Sequence, residues 1–277
     1  MRFLPLILSL CLIASCEKHS PVTARVPIGN RFGDLPVSSY SDKLTATDSG
    51  YIEAVIDGEL AEIHHPNGYL DSTVAGQSFE KVVEGISRSV SNQQPAPPLL
   101  ISATASTKFL TLRPLIHSAA AAGIYRVLFL VNSDTEGTGI IRIELPNTGK
   151  ATPKIEPFFI RIDEKGKIFT GTGASRTRLD NAADDRNLEI LNSQLELFSA
   201  AAKSTGYEIV PCQIYVNPEA SYQRMIDLLA AVTKWGLKPY LTDMEPEPLP
   251  KMERIQRKPS PPRSSLEKVR PLGLAPK

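Results

Sequence analysis

Two stretches of the chain superimpose without a gap at a fixed offset of 113 residues, and this limits what it can fold into. Around the first the chain reads LLISATASTKFLTLRPLIHSAAAAGIYRVLFLV, and around the second PCQIYVNPEASYQRMIDLLAAVTKWGLKPYLTDM. Ile101 to Phe109 and Ile214 to Tyr222 both span eight residues, and Phe109 to Gly123 and Tyr222 to Gly236 both span fourteen. A strand, an aromatic residue, a helix and a glycine therefore recur together and in order. The expectation is one small unit used twice.

Each copy has a local physical reading. Leu99 to Ala103 and Cys212 to Val216 are expected as strands, followed by strands at Tyr125 to Val131 and Lys238 to Thr242. Between them Tyr222, Met225, Ile226, Leu229 and Val232 follow the i, i+3, i+4, i+7 spacing that lays one apolar stripe along a helix. Phe109, Leu112, Leu115, Ile116 and Ala119 do so more loosely, with Pro114 tolerable only where a helix has just begun. Gly123 and Gly236 fall just past the two helices, where a left-handed residue ends a helix at little cost.

Upstream, FFIRIDEKGKIFTG (158–171) reads as a hairpin turning at Glu164-Lys165-Gly166. Its counterpart in the first copy is read as LAEIHHPNGYLDS, turning at Pro66-Asn67-Gly68. A helix is then expected in each copy, with Phe79, Val82, Val83, Ile86 and Val90 on one apolar face, and Leu188, Leu191, Leu195, Phe198 and Ala202 on the other. On this alignment the second copy holds about fifteen extra residues, placed in the polar loop GTGASRTRLDNAADDR. The fold class expected is α+β: two tandem small two-layer domains, 51–134 and 138–245, each a ββαβαβ-like sheet with two helices on one face.

The ends have a different character. MRFLPLILSLCLIAS carries a positive Arg2, an apolar run from Phe3 to Ile13 and a small-residue approach to cleavage, so 1–15 reads as a signal peptide. The run is too short to span a membrane as a helix. Cys16 follows, and the site resembles the lipobox of bacterial lipoproteins, which implies lipidation of Cys16 and a membrane held through the lipid. The expected location is the bacterial cell envelope, facing the periplasm; Glu17 after the cysteine, where aspartate favours inner-membrane retention, points to the outer membrane. Residues 16–50 are read as lipidated terminus and linker. The tail 246–277 holds eight prolines and eight Lys/Arg against three Glu, so it carries about +5 and leaves about −4 elsewhere. It reads as a disordered, Pro-rich basic arm serving solubility or contact with an anionic partner.

Chemistry-bearing residues are sparse. With Cys11 in the signal and Cys16 lipidated, Cys212 alone remains in the folded part, alternating inward with Ile214 and Val216, so neither a disulfide nor a cysteine metal cluster is expected. His64 and His65 are adjacent on a turn, a poor arrangement for one metal; His117 takes the helix position of Ala230; His19 lies in the linker. Asp180, Asp184 and Asp185 with Arg176 and Arg178 read as a solvated loop, with cation binding the alternative. Asp243, Glu245 and Glu247 lead into the tail. GTGAS (171–175) lacks the Lys-Ser/Thr of a P-loop, and neither G-x-G-x-x-G nor a Ser-His-Asp or Cys-His signature is present. Aromatic residues make up 6% of the chain and no basic strand face is apparent, which argues against nucleic acid. No catalytic, cofactor or metal residue is assigned, and the chain is not expected to be an enzyme.

IIRIELP (140–146), FFIRIDEKGKIF, NPEASY (217–222) and KWGLKPYL (234–241), with the more divergent HHPNGYL, STKF and AAGIYRVLFLV, together resemble the periplasmic domain of the ExbD/TolR family of biopolymer transport proteins. The order and spacing carry the resemblance, over most of 52–245. It implies tandem ExbD/TolR-like domains, contact with ExbB/TolQ- or TonB-like envelope proteins or with peptidoglycan, and an internal pseudo-dimer, since family domains tend to pair. The family's membrane helix with its proton-responsive carboxylate has no counterpart here. The expected function is thus a non-catalytic envelope lipoprotein, a binding or scaffolding component related to transmembrane transport and energy-transduction systems. A peptidoglycan- or envelope-binding lipoprotein without a motor link is the alternative, and an enzyme with an unrecognised site the third reading.

Overall fold

The computed structural model describes residues 27, 34–45, 50–57, 60–66, 70–74, 96–134, 137–145, 157–171, 176–207 and 209–242. Apolar alternation and β-branched runs give twelve strands there: β1 (Val37–Ser38), β2 (Ile52–Asp57), β3 (Leu60–His64), β4 (Leu70–Val74), β5 (Leu99–Ala103), β6 (Arg126–Ser133), β7 (Gly137–Glu144), β8 (Phe158–Ile162), β9 (Ile168–Thr170), β10 (Thr177–Arg178), β11 (Val210–Val216) and β12 (Leu237–Thr242). The three described helices are α1 (Phe109–Ala121), α2 (Glu189–Ser204) and α3 (Tyr222–Lys234). The fold is α+β. None of these helices is long and apolar enough to cross a membrane. The helix expected around 79–90, Cys16, His19, Asp243, Glu245, Glu247 and the tail lie outside the described residues.

Two sheets result. One is seven-stranded, ordered β1-β6-β5-β2-β3-β4 with β7 also on β6; the other runs β10-β9-β8-β11-β12. Their shared path is the same: β6-β5-β2-β3-β4 matches β12-β11-β8-β9-β10, with the first three strands of each path parallel and the last two antiparallel. This corrects the hairpin alignment. The partner of β8–β9 is β2–β3, and the Pro66 turn belongs to the following hairpin, β3–β4. Ile52 pairs with Leu99, 47 residues on, and Phe158 with Cys212, 54 residues on, so the second half carries seven extra residues rather than about fifteen. The 113-residue offset holds through the helix-ending glycines, which both take positive φ, +80° at Gly123 and +73° at Gly236. Beyond them it slips by one: Leu99 faces Val127, whereas Cys212 faces Pro239. A one-residue slip exchanges the faces of a strand.

Two further assignments change. Residues 138–144, read as the start of the second domain, belong to β7, which pairs antiparallel with β6 along its whole length. Residues 34–45, read as linker, form a strap across the first sheet. Val37 and Ser38 pair in parallel with Asn132 and Ser133, and Asp42 exchanges two backbone hydrogen bonds of 2.8 Å with Ile140. Gly139 is what lets the strap approach, because a Cβ there would lie 2.3 Å from Ser41 Oγ. Leu35 and Leu44 cover Tyr51, Leu100, Leu128, Leu130 and Ile140, so β5 and β6 are buried on both faces and read as continuous apolar runs.

The main core is one cluster drawn from both halves, including Ile52, Ile101, Phe109 and Phe129 together with Ile160, Ile214, Tyr222 and Leu229. Where the halves meet, the backbone bonds are reciprocal. Phe109 N donates to Ala220 O at 2.8 Å and Tyr222 N to Thr107 O at 2.6 Å; Leu110 N donates to Pro218 O at 2.8 Å and Gln223 N to Ala105 O at 3.0 Å. Each bond maps onto its mate by the 113-residue offset, and Lys108 and Ser221, also 113 apart, form an antiparallel bridge between them. Side chains cross as well: Tyr222 packs 6.0 Å from Phe129, centroid to centroid, and its hydroxyl reaches Ile101 O of the first half at 3.4 Å.

The outer face of the second sheet also differs from expectation. Pairing places Arg178, Phe169, Arg161 and Tyr215 in one row, with Phe159, Gln213 and Tyr240 in the next. An aromatic face holding two arginines therefore exists, with Arg161 buried in it at 8% exposure and Arg178 paired with Asp180. Five separate strands, β8 to β12, build it, which hides it from any local reading.

Candidate functional site

Helix α3 is buried nearly all round, and that brings two charged residues inside. LLAAV, at 228–232, is apolar on every side of the helix, so the polar residues of the same helix, Arg224 and Asp227, are carried in with it at 3% and 9% exposure. Ser221 caps α3, its hydroxyl accepting from Arg224 N at 3.3 Å. A buried guanidinium must have its donors satisfied. Arg224 Nε donates to Gly166 O at 2.6 Å, Nη1 to Asp185 O at 2.5 Å, and Nη2 to Asp180 Oδ2 at 2.5 Å. Asp180 is itself 2% exposed; its Oδ2 also accepts from Ile168 N at 3.0 Å and its Oδ1 from Arg178 Nε at 2.7 Å.

The acidic run at 180–185 is thus split. Asp180 is the counter-ion of Arg224. Asp185 is a loop clasp, accepting from the backbone N–H groups of Asn181, Asn187 and Leu188 at 3.1, 3.1 and 3.2 Å. Burial raises its carboxyl, but those three N–H groups and the Arg224 charge outweigh burial, so its pKa falls below the ordinary 3.8. Asp184 is exposed. The reading of the run as a solvated loop is corrected for Asp180. The alternative of cation binding gains no support, since the oxygens of Asp180 and Asp185 are occupied by protein donors.

Beside this hub lies a polar cavity of about 470 Å³. Its floor is the Asp227, Ala230, Ala231, Lys234 edge of α3, where two alanines leave room between charged residues two turns apart, roughly 10 Å along the axis. Arg186, Asn187, Leu188 and Asn192 at the start of α2 form one wall; Ser38, Ser39 and Asp134 of the first half form the other. Leu188 holds a left-handed φ of 49°, a conformation costing an L-residue about 1–2 kcal/mol, while its side chain is buried. Arg186, itself exposed, reaches across the cavity lining: its Nε sits 3.6 Å from Asp227 Oδ1 and its Nη2 donates to Val37 O at 2.8 Å. Gln223 clasps the strap as a second strand would: Val37 N donates to its Oε1 at 2.9 Å, and its Nε2 donates to Val37 O at 2.8 Å and to Asp227 Oδ1 at 2.7 Å. Burial raises the Asp227 carboxyl above 3.8, against the lowering by Gln223, Arg186 and Arg224.

The other singled-out residues stand apart from this cavity. His64 lies on β3 with Nε2 3.0 Å from Glu62 Oε2, and His65 is buried. His117 is exposed on α1, in a shallow cleft with Arg113 and Leu241. On the same sheet face as His64, Glu53 is fully buried and accepts from Ser102 Oγ at 3.0 Å. Cys212 is fully buried and free, and burial pushes its thiol far up. Among the described residues no three His, Cys, Asp or Glu converge as a metal site. Arg224 and Asp227 were missed from sequence; the signal was the five-residue apolar run, longer than one helix face allows. Comparison with protein-family models, with characterised proteins and with solved structures returns no match.

Proposed function

We propose that the chain is a lipid-anchored bacterial envelope protein whose folded part is a non-catalytic binding or scaffolding body, an internal pseudo-dimer of two ExbD/TolR-like halves. The reciprocal bonding about Lys108 and Ser221 carries the reading. An isologous interface sets the same residues of two copies against each other, and here both copies lie in one chain. Fusion fixes their pairing and frees the two outer surfaces to diverge, as the strap over one sheet and the aromatic–arginine face on the other illustrate. That suits a part holding unlike partners together. The cysteine at position 16 supplies the anchor in this reading, and ExbB/TolQ- or TonB-like proteins are the proposed partners.

The test has two arms. Cys16→Ala should release the protein from membranes, and retention of that variant contradicts the anchor. A photo-crosslinker at Leu197, 65% exposed on α2, should capture an ExbB/TolQ- or TonB-like protein in cells. Recovery solely on isolated cell wall replaces that partner with peptidoglycan.

A further inference from the structure

The cavity between the strap and α3 holds an arrangement that the scaffolding reading does not use. Two of its charges are already paired, Arg186 with Asp227, and the Asn192 amide donates to Asn187 O at 2.8 Å and accepts from Trp235 Nε1 at 2.9 Å. Its rim charges have no counter-ion among the described residues, and Lys234 Nζ lies 5.8 Å from the centroid of the Trp235 ring. Asp134, from the end of β6, and Lys234, from the end of α3, are exposed, face the same cavity, and form no ion pair with a described residue. They carry opposite signs and come from opposite halves. The volume lies within the roughly 300–1,000 Å³ of small-molecule sites. The alanine floor between Asp227 and Lys234 gives the cavity length and no bulk.

A single anion would meet Asp134 and Asp227, and a single cation would meet Lys234 and Arg186, so like charge penalises either. A molecule with an ammonium at one end and a carboxylate at the other matches both rim charges at once. We propose that this cavity binds a small zwitterion, an α-amino acid or the two free termini of a short peptide, with the ammonium on Asp134 and the carboxylate on Lys234. Binding joins the halves through the ligand. It does not depend on the anchor or on any envelope partner, so it can fail or stand by itself.

Trp235 is the sole tryptophan of the chain, and its indole N–H is bonded to the cavity wall at Asn192, which makes it a built-in reporter. The full-length protein, solubilised from membranes, is titrated with alanine, Ala-Ala, N-acetyl-Ala-Ala and Ala-Ala amide while Trp235 fluorescence is followed. Saturable binding of alanine or Ala-Ala is expected, with the blocked forms about tenfold weaker or worse, the scale of losing a hydrogen bond to a charged group. Asp134→Asn, an exposed change that leaves the fold intact, should abolish the distinction between Ala-Ala and its N-acetyl form. Lys234→Gln should likewise abolish the distinction from the amide. Tighter binding of alanine identifies a free amino acid and tighter binding of Ala-Ala identifies peptide termini; both support the site. Absence of saturation with both, equal affinity of the blocked forms, or variants that still discriminate overturns it.

Discussion

Arg224 and Asp180 meet 2.5 Å apart, Nη2 to Oδ2, with 3% and 2% of their surfaces exposed. The pair ties α3 to the loop that precedes α2, and it leaves neither charge any recourse to water. Breaking such a pair from one side strands a buried charge, which costs about 3–5 kcal/mol. Arg224→Met should therefore lower the urea midpoint sharply, and Asp180→Asn should do so as well. The double variant should lose much less than the two losses added together, because neither buried ion is left without the other and Arg178, which also loses Asp180, is 39% exposed. Additive losses would show that the two residues act separately.

Gly139 is predicted to control the strap. Any side chain there meets Ser41, whose Oγ would be 2.3 Å from the new Cβ. Gly139→Ala should cost about 1–3 kcal/mol as overpacking, and the damage should be local. Hydrogen exchange at Asp42 and Ile140, which bond one another, should quicken, while exchange in β11 stays unchanged. Adding Ser41→Gly should restore protection. Unaltered exchange at Asp42 would mean the strap does not lie where Gly139 admits it.

Two carboxylates give opposite pH signatures. Asp185 has a folded pKa below 3.8, so it contributes stability above 3.8 that is lost as pH falls through the folded value. Asp227 has a folded pKa above 3.8, so its contribution is present below 3.8 and lost as pH rises through the folded value. The stability difference between parent and Asp185→Asn should thus grow with pH up to about 4 and then stay level. The difference between parent and Asp227→Asn should fall as pH rises above 3.8. Chemical unfolding from pH 3 to 7 checks both, and a parallel trend in the two variants would contradict the assigned environments.

Some of this was legible in the sequence, for identifiable reasons. The stripes of α1 and α3 and the glycines that end them are local patterns, and local patterns carry local structure. The equivalence of β2–β3 with β8–β9 is set by pairing with β5 and β11 some fifty residues away, whereas Pro66-Asn67-Gly68 is the stronger nearby turn signal and drew the hairpin alignment to itself. Likewise GIIRIE announces a strand without saying which sheet it joins. Residues 34–45 carry the residues that cover a core, Leu35, Tyr40 and Leu44, too far apart to show a period. The cavity was illegible because Asp134 and Lys234 are a hundred residues apart and line one cavity only when the halves are joined.

Both halves should open together. The cluster uniting Ile52, Phe109 and Phe129 with Ile214, Tyr222 and Leu229 couples them, so Tyr222→Ala, about 3–5 kcal/mol for a large buried side chain, should destabilise β5 as much as β11. Hydrogen exchange in a denaturant series reads the two strands separately. Loss of protection confined to β11 would mean that the halves fold independently.

The most direct test is a bond across the local axis. In the antiparallel bridge of Lys108 and Ser221 the flanking residues make the hydrogen bonds, an arrangement that brings such a pair to about 4.5 Å between Cα atoms and within disulfide reach. Lys108→Cys with Ser221→Cys, expressed to the envelope, should oxidise within one chain. Closing a loop of 113 residues should then raise stability by up to about 4–5 kcal/mol in the chain-entropy account. A monomeric, stabilised protein with no free thiol at either position is the predicted result. Two reduced thiols, or a disulfide only between chains, would contradict the pairing of the two halves.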